Sequence, residues 1–182
     1  MPSWSMNRAE SPAMERARAL RLVILDVDGV LTDGRVVVDD NGVESRNFDI
    51  KDGLGLMLLA RAGIELAIVS AKRSPAVRQR AADLNIRRCY DGVSSKLGPY
   101  EEIVAQLGLA ANAVCHVGDD LMDLALMKRV GYPVAVADAV PEVKAAAAWV
   151  TRARGGHGAV REVAEHILRA QGRWDEIVAG LG

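Results

Sequence analysis

The stretch Leu22-Val23-Ile24-Leu25-Asp26-Val27-Asp28-Gly29-Val30-Leu31-Thr32-Asp33-Gly34 decides the fold. An unbroken apolar run of this length reads as a strand buried on both faces, the signature of a parallel sheet covered by helices. Two carboxylates, one residue apart, stand where that strand ends and a glycine-containing loop begins. In open α/β sheets, ligands and chemistry gather at the carboxyl ends of the strands. Two acids placed there repel each other unless a cation or a proton relieves them. A divalent metal would hold one as a nucleophile and leave the other free to move protons. An Asp-x-Asp pair alone also fits an ordinary loop, so the rest of the chain has to decide.

Further strand-like runs at 66–69, 113–117 and 134–136 alternate with helix-like segments, which favours an α/β fold with a parallel sheet. The helices are expected at 53–62, 74–84, 97–107, 122–130, 141–148 and 159–170, with a short piece near Trp174. Ser74-Pro75 supplies a cap and a first-turn proline. One part breaks the alternation. Residues 35–48 hold two strand-like runs around Asp39-Asp40-Asn41-Gly42, and Asn-Gly between such runs signals a β-hairpin. A lone hairpin is not stable in water, so this one must rest on its own domain or pair with other copies.

The chain has 182 residues, room for one domain with a substantial core. We expect a weakly ordered segment at 1–18 and a single domain over 19–182. Half the residues are hydrophobic, 26% are charged and 4% are aromatic, so Ala, Val, Leu and Ile build the core. A formal net charge of −1 gives no support to nucleic-acid binding, which wants a basic excess. No membrane span is expected, because no apolar run approaches the ~18 residues required. Cys89 and Cys115 lack C-x-x-C partners and read as two buried thiols in a reducing cytoplasm.

Three later strand ends carry polar groups. Ser70 follows the 66–69 run, where a hydroxyl and backbone N–H groups suit phosphate oxygens. Lys96 stands just ahead of a helix. Gly118-Asp119-Asp120-Leu121-Met122-Asp123 places three acids within five residues at a strand-to-helix turn, a donor set for a hard cation or an acidic helix start favoured by the helix dipole. Acid pair, hydroxyl, lysine and acidic cluster, in this order at strand ends, resemble the haloacid dehalogenase superfamily of phosphatases. The resemblance runs from about residue 21 to 171.

It sharpens to a subfamily. The 26–34 stretch, the hairpin, Asp52-Gly53-Leu54-Gly55, residues 118–123, Pro133-Val134-Ala135-Val136-Ala137-Asp138-Ala139 and Gly155-Gly156-His157-Gly158-Ala159-Val160-Arg161-Glu162-Val163 resemble 3-deoxy-D-manno-octulosonate 8-phosphate phosphatases. The resemblance implies a Rossmann-like three-layer sandwich with an inserted hairpin and no large cap domain. It implies a homotetramer assembled through the hairpins, in lipopolysaccharide sugar biosynthesis. Asp26 would be the nucleophile and Asp28 the acid/base. Mg²⁺ would be held by Asp26, the Asp28 carbonyl and Asp119, with Asp120 and Asp123 behind them. Ser70 and Lys96 would hold phosphate. Asp49, Ile50, Lys51, Asp52, Gly53, Lys72 and Arg80 would contact the sugar acid.

Some residues depart from the family's pattern. Ser70-Ala71-Lys72 stands where many relatives have Thr-Gly-Arg, Met57 where some have a basic residue, and His157 where arginine is frequent. Lysine keeps the charge but loses the fork that grips a carboxylate at two points. These changes lie on the sugar side, which leaves a phosphatase of nine-carbon keto-deoxy sugar 9-phosphates as the alternative. Two other classes remain: a receiver domain, whose phosphoacceptor is a separate, later Asp, and an inactive phosphatase fold used for oligomerisation.

Overall fold

Leu22, Val23, Ile24 and Leu25 form β1 (Leu22–Leu25), and all four are buried. Successive side chains of a strand point to opposite faces. Accordingly Val23 and Leu25 join one apolar cluster, Leu22 and Ile24 the other. The chain is described by a computed structural model over residues 12–181.

β1 pairs in parallel with β4 (Glu65–Ser70) on one side and β6 (Val114–Gly118) on the other. Beyond β4 lies β5 (Arg88–Asp91); beyond β6 lie β7 (Tyr132–Ala135) and the two-residue β8 (Trp149–Val150). The six parallel strands run in the order β5-β4-β1-β6-β7-β8. The chain therefore winds outward from β1 in one direction and then in the other. That reversal opens a crevice at the carboxyl end of β1.

Helices cover both faces, as the three-layer expectation requires. On one face α2 (Ile50–Arg61) and α7 (Ala159–Ala170) lie side by side, with α1 (Pro12–Arg18) against α7. Val77 and Ala81 of α3 (Pro75–Asp83) join the same cluster. On the other face Tyr100 and Ile103 of α4 (Leu97–Leu107) and Leu126 of α5 (Leu124–Met127) cover Leu22, Ile24, Ala67 and Val69. The short α6 (Pro141–Ala146) and α8 (Trp174–Ala179) complete the helices of the described residues.

Within the 1–18 segment, Pro12–Arg18 forms a helix whose Ala17 is fully buried in the main cluster. The rest of that segment, 1–11, lies outside the described residues. The hairpin is present but short. Among the described residues β2 (Val37–Val38) pairs only with β3 (Glu44–Ser45), antiparallel and apart from the large sheet. Asp39 closes its turn by accepting hydrogen bonds from the amides of Asn41 and Val43.

Candidate active site

The acidic loop after β1 is held by one carbonyl. Val27 O accepts from the amides of Val30, Leu31 and Thr32, and the buried Thr32 hydroxyl also reaches it at 3.3 Å. Gly29 adopts φ +95° beside the Asp119 carboxylate, where a Cβ would collide with Oδ2. Only glycine meets both demands. From outside, Gly155 rests on the Gly29 carbonyl, Gly155 N donates to Asp138 at 2.9 Å and Gly156 N donates to Val30 O at 2.9 Å. The glycine-rich tail motif is thus a buttress for the acidic loop, and the close approach forbids a side chain at 155. His157 is exposed and lines a small hollow with Asp33, Arg35, Asp138 and Arg154.

Asp26, Lys96, Asp119 and Asp123 meet at the crevice. The buried Lys96 ammonium bridges Asp26 Oδ1 at 2.7 Å and Asp123 Oδ1 at 2.5 Å. Burial alone would lower the Lys96 pKa, but the two carboxylates reverse this and hold it above its usual value. Asp26 is raised, chiefly by burial, which outweighs the opposing pull of Lys96. Asp123 is held below the ordinary carboxylate range: burial works against this, but His116 and Lys96 prevail. It is the hub of the site. Oδ1 also meets Nε2 of the fully buried His116 at 2.8 Å, and Oδ2 accepts from the amides of Asp119 and Asp120. Asp120 caps the turn after β6 through Leu121 N, at 2.7 Å.

Oxygens of Asp26, Asp119 and Asp123 lie within 4.8 Å of one another. Asp119 Oδ1 is buried without a hydrogen-bond partner among the described residues, and burial together with Asp26 and Asp123 pushes the Asp119 carboxyl up to about 8. An orphaned acceptor beside a second carboxylate is the environment a divalent cation relieves. Asp123 has already committed both oxygens to protein donors, which leaves Asp26 and Asp119 as the side chains with donor capacity. The site therefore fits Mg²⁺.

The Asp28 side chain stays apart from that cluster. Arg46, from the hairpin, meets it through Nε at 2.6 Å and Nη2 at 3.4 Å. Ser70 ends β4 and is buried; its hydroxyl lies 3.4 Å from the backbone N and O of Lys72. The Lys72 ammonium forms an ion pair with Glu44 of the hairpin at 2.6 Å.

The residues expected to touch the sugar divide. Asp49 is the N-cap of α2, accepting from Lys51 N at 2.6 Å and Asp52 N at 3.3 Å. Ile50 and Lys51 are exposed. Arg80 lies over the Phe48 ring and donates to Asp49 O at 3.4 Å, against Gly53 where a side chain would strike its guanidinium. Asp52 is not brought to the crevice. It is buried under α7, where Oδ1 accepts from Arg161 N at 2.7 Å, while Oδ2 has no partner among the described residues. The α7 N-terminus needs an acceptor for its free amides, and Asp52 supplies it across the interface between α2 and α7.

This placement has a pH signature. Burial pushes the Asp52 carboxyl up to about 6, with amides of α7 pulling the other way and Asp49 adding to the rise. Between about pH 4 and 6 the folded chain holds a proton that an unfolded aspartate has released. This group therefore makes stability fall as pH rises through that window. Asp52→Asn should remove the effect. Its stability relative to the unmodified protein should rise by about 2–3 kcal/mol between pH 4 and 7, measured by urea unfolding. A difference that stays constant with pH would show that Asp52 does not titrate there.

Arg46, Glu44, His116 and Ser74 were not expected at the site. For Arg46 the signal is its spacing of two from Phe48, which lies against the core. His116 interrupts an apolar strand, the one visible sign of a polar partner beneath the sheet end.

Comparison with other proteins agrees with this geometry. Residues 90–163 match a family of haloacid dehalogenase-like hydrolases. The chain is 44% identical over 163 residues to the 3-deoxy-D-manno-octulosonate 8-phosphate phosphatase of Escherichia coli (strain B / BL21-DE3), spanning 90% of this chain and 87% of that protein. The crystal structure of the Yersinia pestis phosphatase of that name superposes with TM-score 0.88 at 42% identity, covering 90% of this chain and 88% of that one. The Moraxella catarrhalis phosphatase, solved with magnesium, phosphate and KDO, gives TM-score 0.91 at 35% identity, covering 93% and 98%. With the acid pair, the bridging lysine and the late acidic cluster at the ends of adjacent parallel strands, this chain belongs to the 3-deoxy-D-manno-octulosonate 8-phosphate phosphatase family of the haloacid dehalogenase superfamily.

Proposed function

We propose that this protein hydrolyses 3-deoxy-D-manno-octulosonate 8-phosphate through an aspartyl-phosphate on Asp26, with Mg²⁺ held by Asp26, the Asp28 carbonyl and Asp119. The observation that carries this reading is Lys96, buried between Asp26 and Asp123. It fixes one oxygen of Asp26 and leaves the other to attack phosphorus. As that bond forms, the bond from phosphorus to the sugar oxygen breaks, and Asp28 gives that oxygen its proton. Asp28 then takes a proton from water as the water oxygen attacks phosphorus, which frees Asp26 and inorganic phosphate. Ser70 and Lys96 hold phosphate oxygens. A bound Mg²⁺ supplies charge neutralisation to the acid pair and the phosphoryl group. Asp123, tied to Lys96, His116 and two amides, keeps the lysine in place.

Asp49, Ile50, Lys51, Gly53, Lys72 and Arg80 form the sugar-acid side in this reading, with Lys72 exchanging Glu44 for the substrate carboxylate. Asp52 supports them from beneath. The protein works in the cytoplasm as a single domain, in lipopolysaccharide sugar biosynthesis; none of its described helices is long and apolar enough to cross a membrane. The test is a screen of phosphorylated 3-deoxy-2-keto acids of eight and nine carbons against neutral sugar phosphates. The highest kcat/KM should fall on the eight-carbon acid. Equal turnover of neutral sugar phosphates would overturn the substrate assignment.

The hairpin is the assembly element of a homotetramer. Val37 and Val38 of β2 and Val43 just ahead of β3 are 58%, 59% and 62% exposed, and among the described residues β2 and β3 pair with each other alone. Exposed strand edges seek partners. Val38→Asp is expected to give monomers in sedimentation, with turnover reduced. A tetramer that survives this charge would place the contact elsewhere.

A further inference from the structure

Arg46 is the one buried cation that the hairpin sends into the crevice among the described residues. Its side chain is fully shielded, while the Asp28 side chain it contacts is 28% exposed. Nε lies 2.6 Å from Asp28 Oδ1 and Nη2 lies 3.4 Å from Oδ2, a side-on fork on both carboxylate oxygens. Nη1 donates to the Ser74 hydroxyl at 3.0 Å and reaches Glu44 at 3.4 Å. Ser74 is itself the N-cap of α3, and Glu44 continues to Lys72. One guanidinium thus links the hairpin, the α3 start and the second acid of the catalytic loop.

Two physical points give this link a role. The last torsion of an aspartate side chain is a broad rotor with no sharp minimum, so Asp28 has no orientation of its own. A guanidinium fork grips a carboxylate at two points and fixes its plane. A buried arginine is also costly unless paired, so the hairpin seats fully only with Arg46 on its partners. We infer that Arg46 is a positioning residue for Asp28, aiming the protonated carboxyl group at the leaving oxygen and tying that aim to the seating of the hairpin. The inference rests on the reading of Asp28 as the acid/base. It gives the hairpin a part in the chemistry beyond the assembly already proposed for it.

The experiment compares two leaving groups in single turnovers of the full-length protein with saturating Mg²⁺. One substrate is the keto-deoxy sugar acid phosphate, whose alkoxide must be protonated as it leaves. The other is 4-nitrophenyl phosphate, whose phenolate leaves without a proton. Arg46→Gln should lower the first-turnover rate on the sugar phosphate by about 10–100-fold, the scale of a misaimed catalytic group. The aryl phosphate rate and both KM values should change by no more than about threefold. Arg46→Lys, which keeps the charge without the fork, should fall between and carries the test should the Gln variant not fold. Asp28→Asn is run beside them. If it shows the leaving-group difference and neither Arg46 variant does, the positioning inference fails while the acid/base reading stands. If Asp28→Asn shows no difference, both fail. Equal losses on the two substrates in the Arg46 variants would mark Arg46 as serving the fold alone.

Discussion

Replacing Asp26 with asparagine is expected to lower kcat by about 10³-fold or more, with the fold intact. The carboxylate sits at the end of the central strand, its backbone still hydrogen-bonded to β6 through Asp26 N and Val117 O at 3.1 Å. Its side chain is aimed at Lys96, not at the core. An amide cannot form the acyl phosphate, and groups that act as a unit fail together. Stability should stay near that of the unmodified protein, because the substitution discharges one member of the Asp26–Asp119 pair while Lys96 keeps Asp123. Steady-state kinetics at saturating Mg²⁺, with urea unfolding as the control, checks this. A folded variant with near-normal turnover would remove Asp26 from the nucleophile's role.

The parts of the fold that could be read in the sequence were those whose patterns depend on burial alone. β1, α4 and α7 match the expected spans of 22–25, 97–107 and 159–170. Their apolar residues face the two apolar clusters that flank the sheet, and Gly108, Gly158 and Gly172 mark helix ends with positive φ. β5 carries no such pattern, because Arg88-Cys89-Tyr90-Asp91 is a half-exposed edge strand with no alternation. β8 has only two residues to signal it. α2 begins at Ile50, three residues before the expected Gly53, since Asp49 makes a cap whose acceptor outweighs the glycine that follows. The expected helix at 122–130 is a 3-10 turn over Leu121–Asp123 followed by α5. There Asp120 and Asp123 cap each other's backbone and tighten the first turn.

The site divides by a similar rule. Residues that sit at strand ends were legible, because the strands themselves were legible and their carboxyl ends face one crevice. The motif places Asp123 behind the metal acids, but nothing in it signals that Asp123 holds Lys96, His116 and two amides at once. That role depends on Lys96, just ahead of α4, meeting the turn after β6 at the sheet end, which no local pattern encodes. Asp52 was carried to the sugar side by its motif, yet the register of α2 against α7 turns it inward. Arg46 reaches Asp28 across 18 residues of chain only because the hairpin folds back over the loop.

Lys96→Met should cost both stability and turnover, and the two losses have separate signatures. The ammonium is nearly fully buried between two carboxylates that are themselves shielded. Removing one partner of a buried, hydrogen-bonded ion cluster leaves uncompensated charge, typically at about 3–5 kcal/mol. The methionine variant should lose that much in urea unfolding at pH 7 without added Mg²⁺. Adding Asp123→Asn to it should recover part of the loss, because the same charge cannot be stranded twice. Turnover should behave differently: the double variant regains stability but not activity, since phosphate still lacks the cation that meets its oxygens. A fall of about 10² or more in kcat is expected for both. Were Lys96→Met to unfold within about 1 kcal/mol of the unmodified protein, the charge balance assigned to this cluster would be wrong. Were the double variant to recover turnover along with stability, Lys96 would be a structural counter-ion to Asp123 and nothing more.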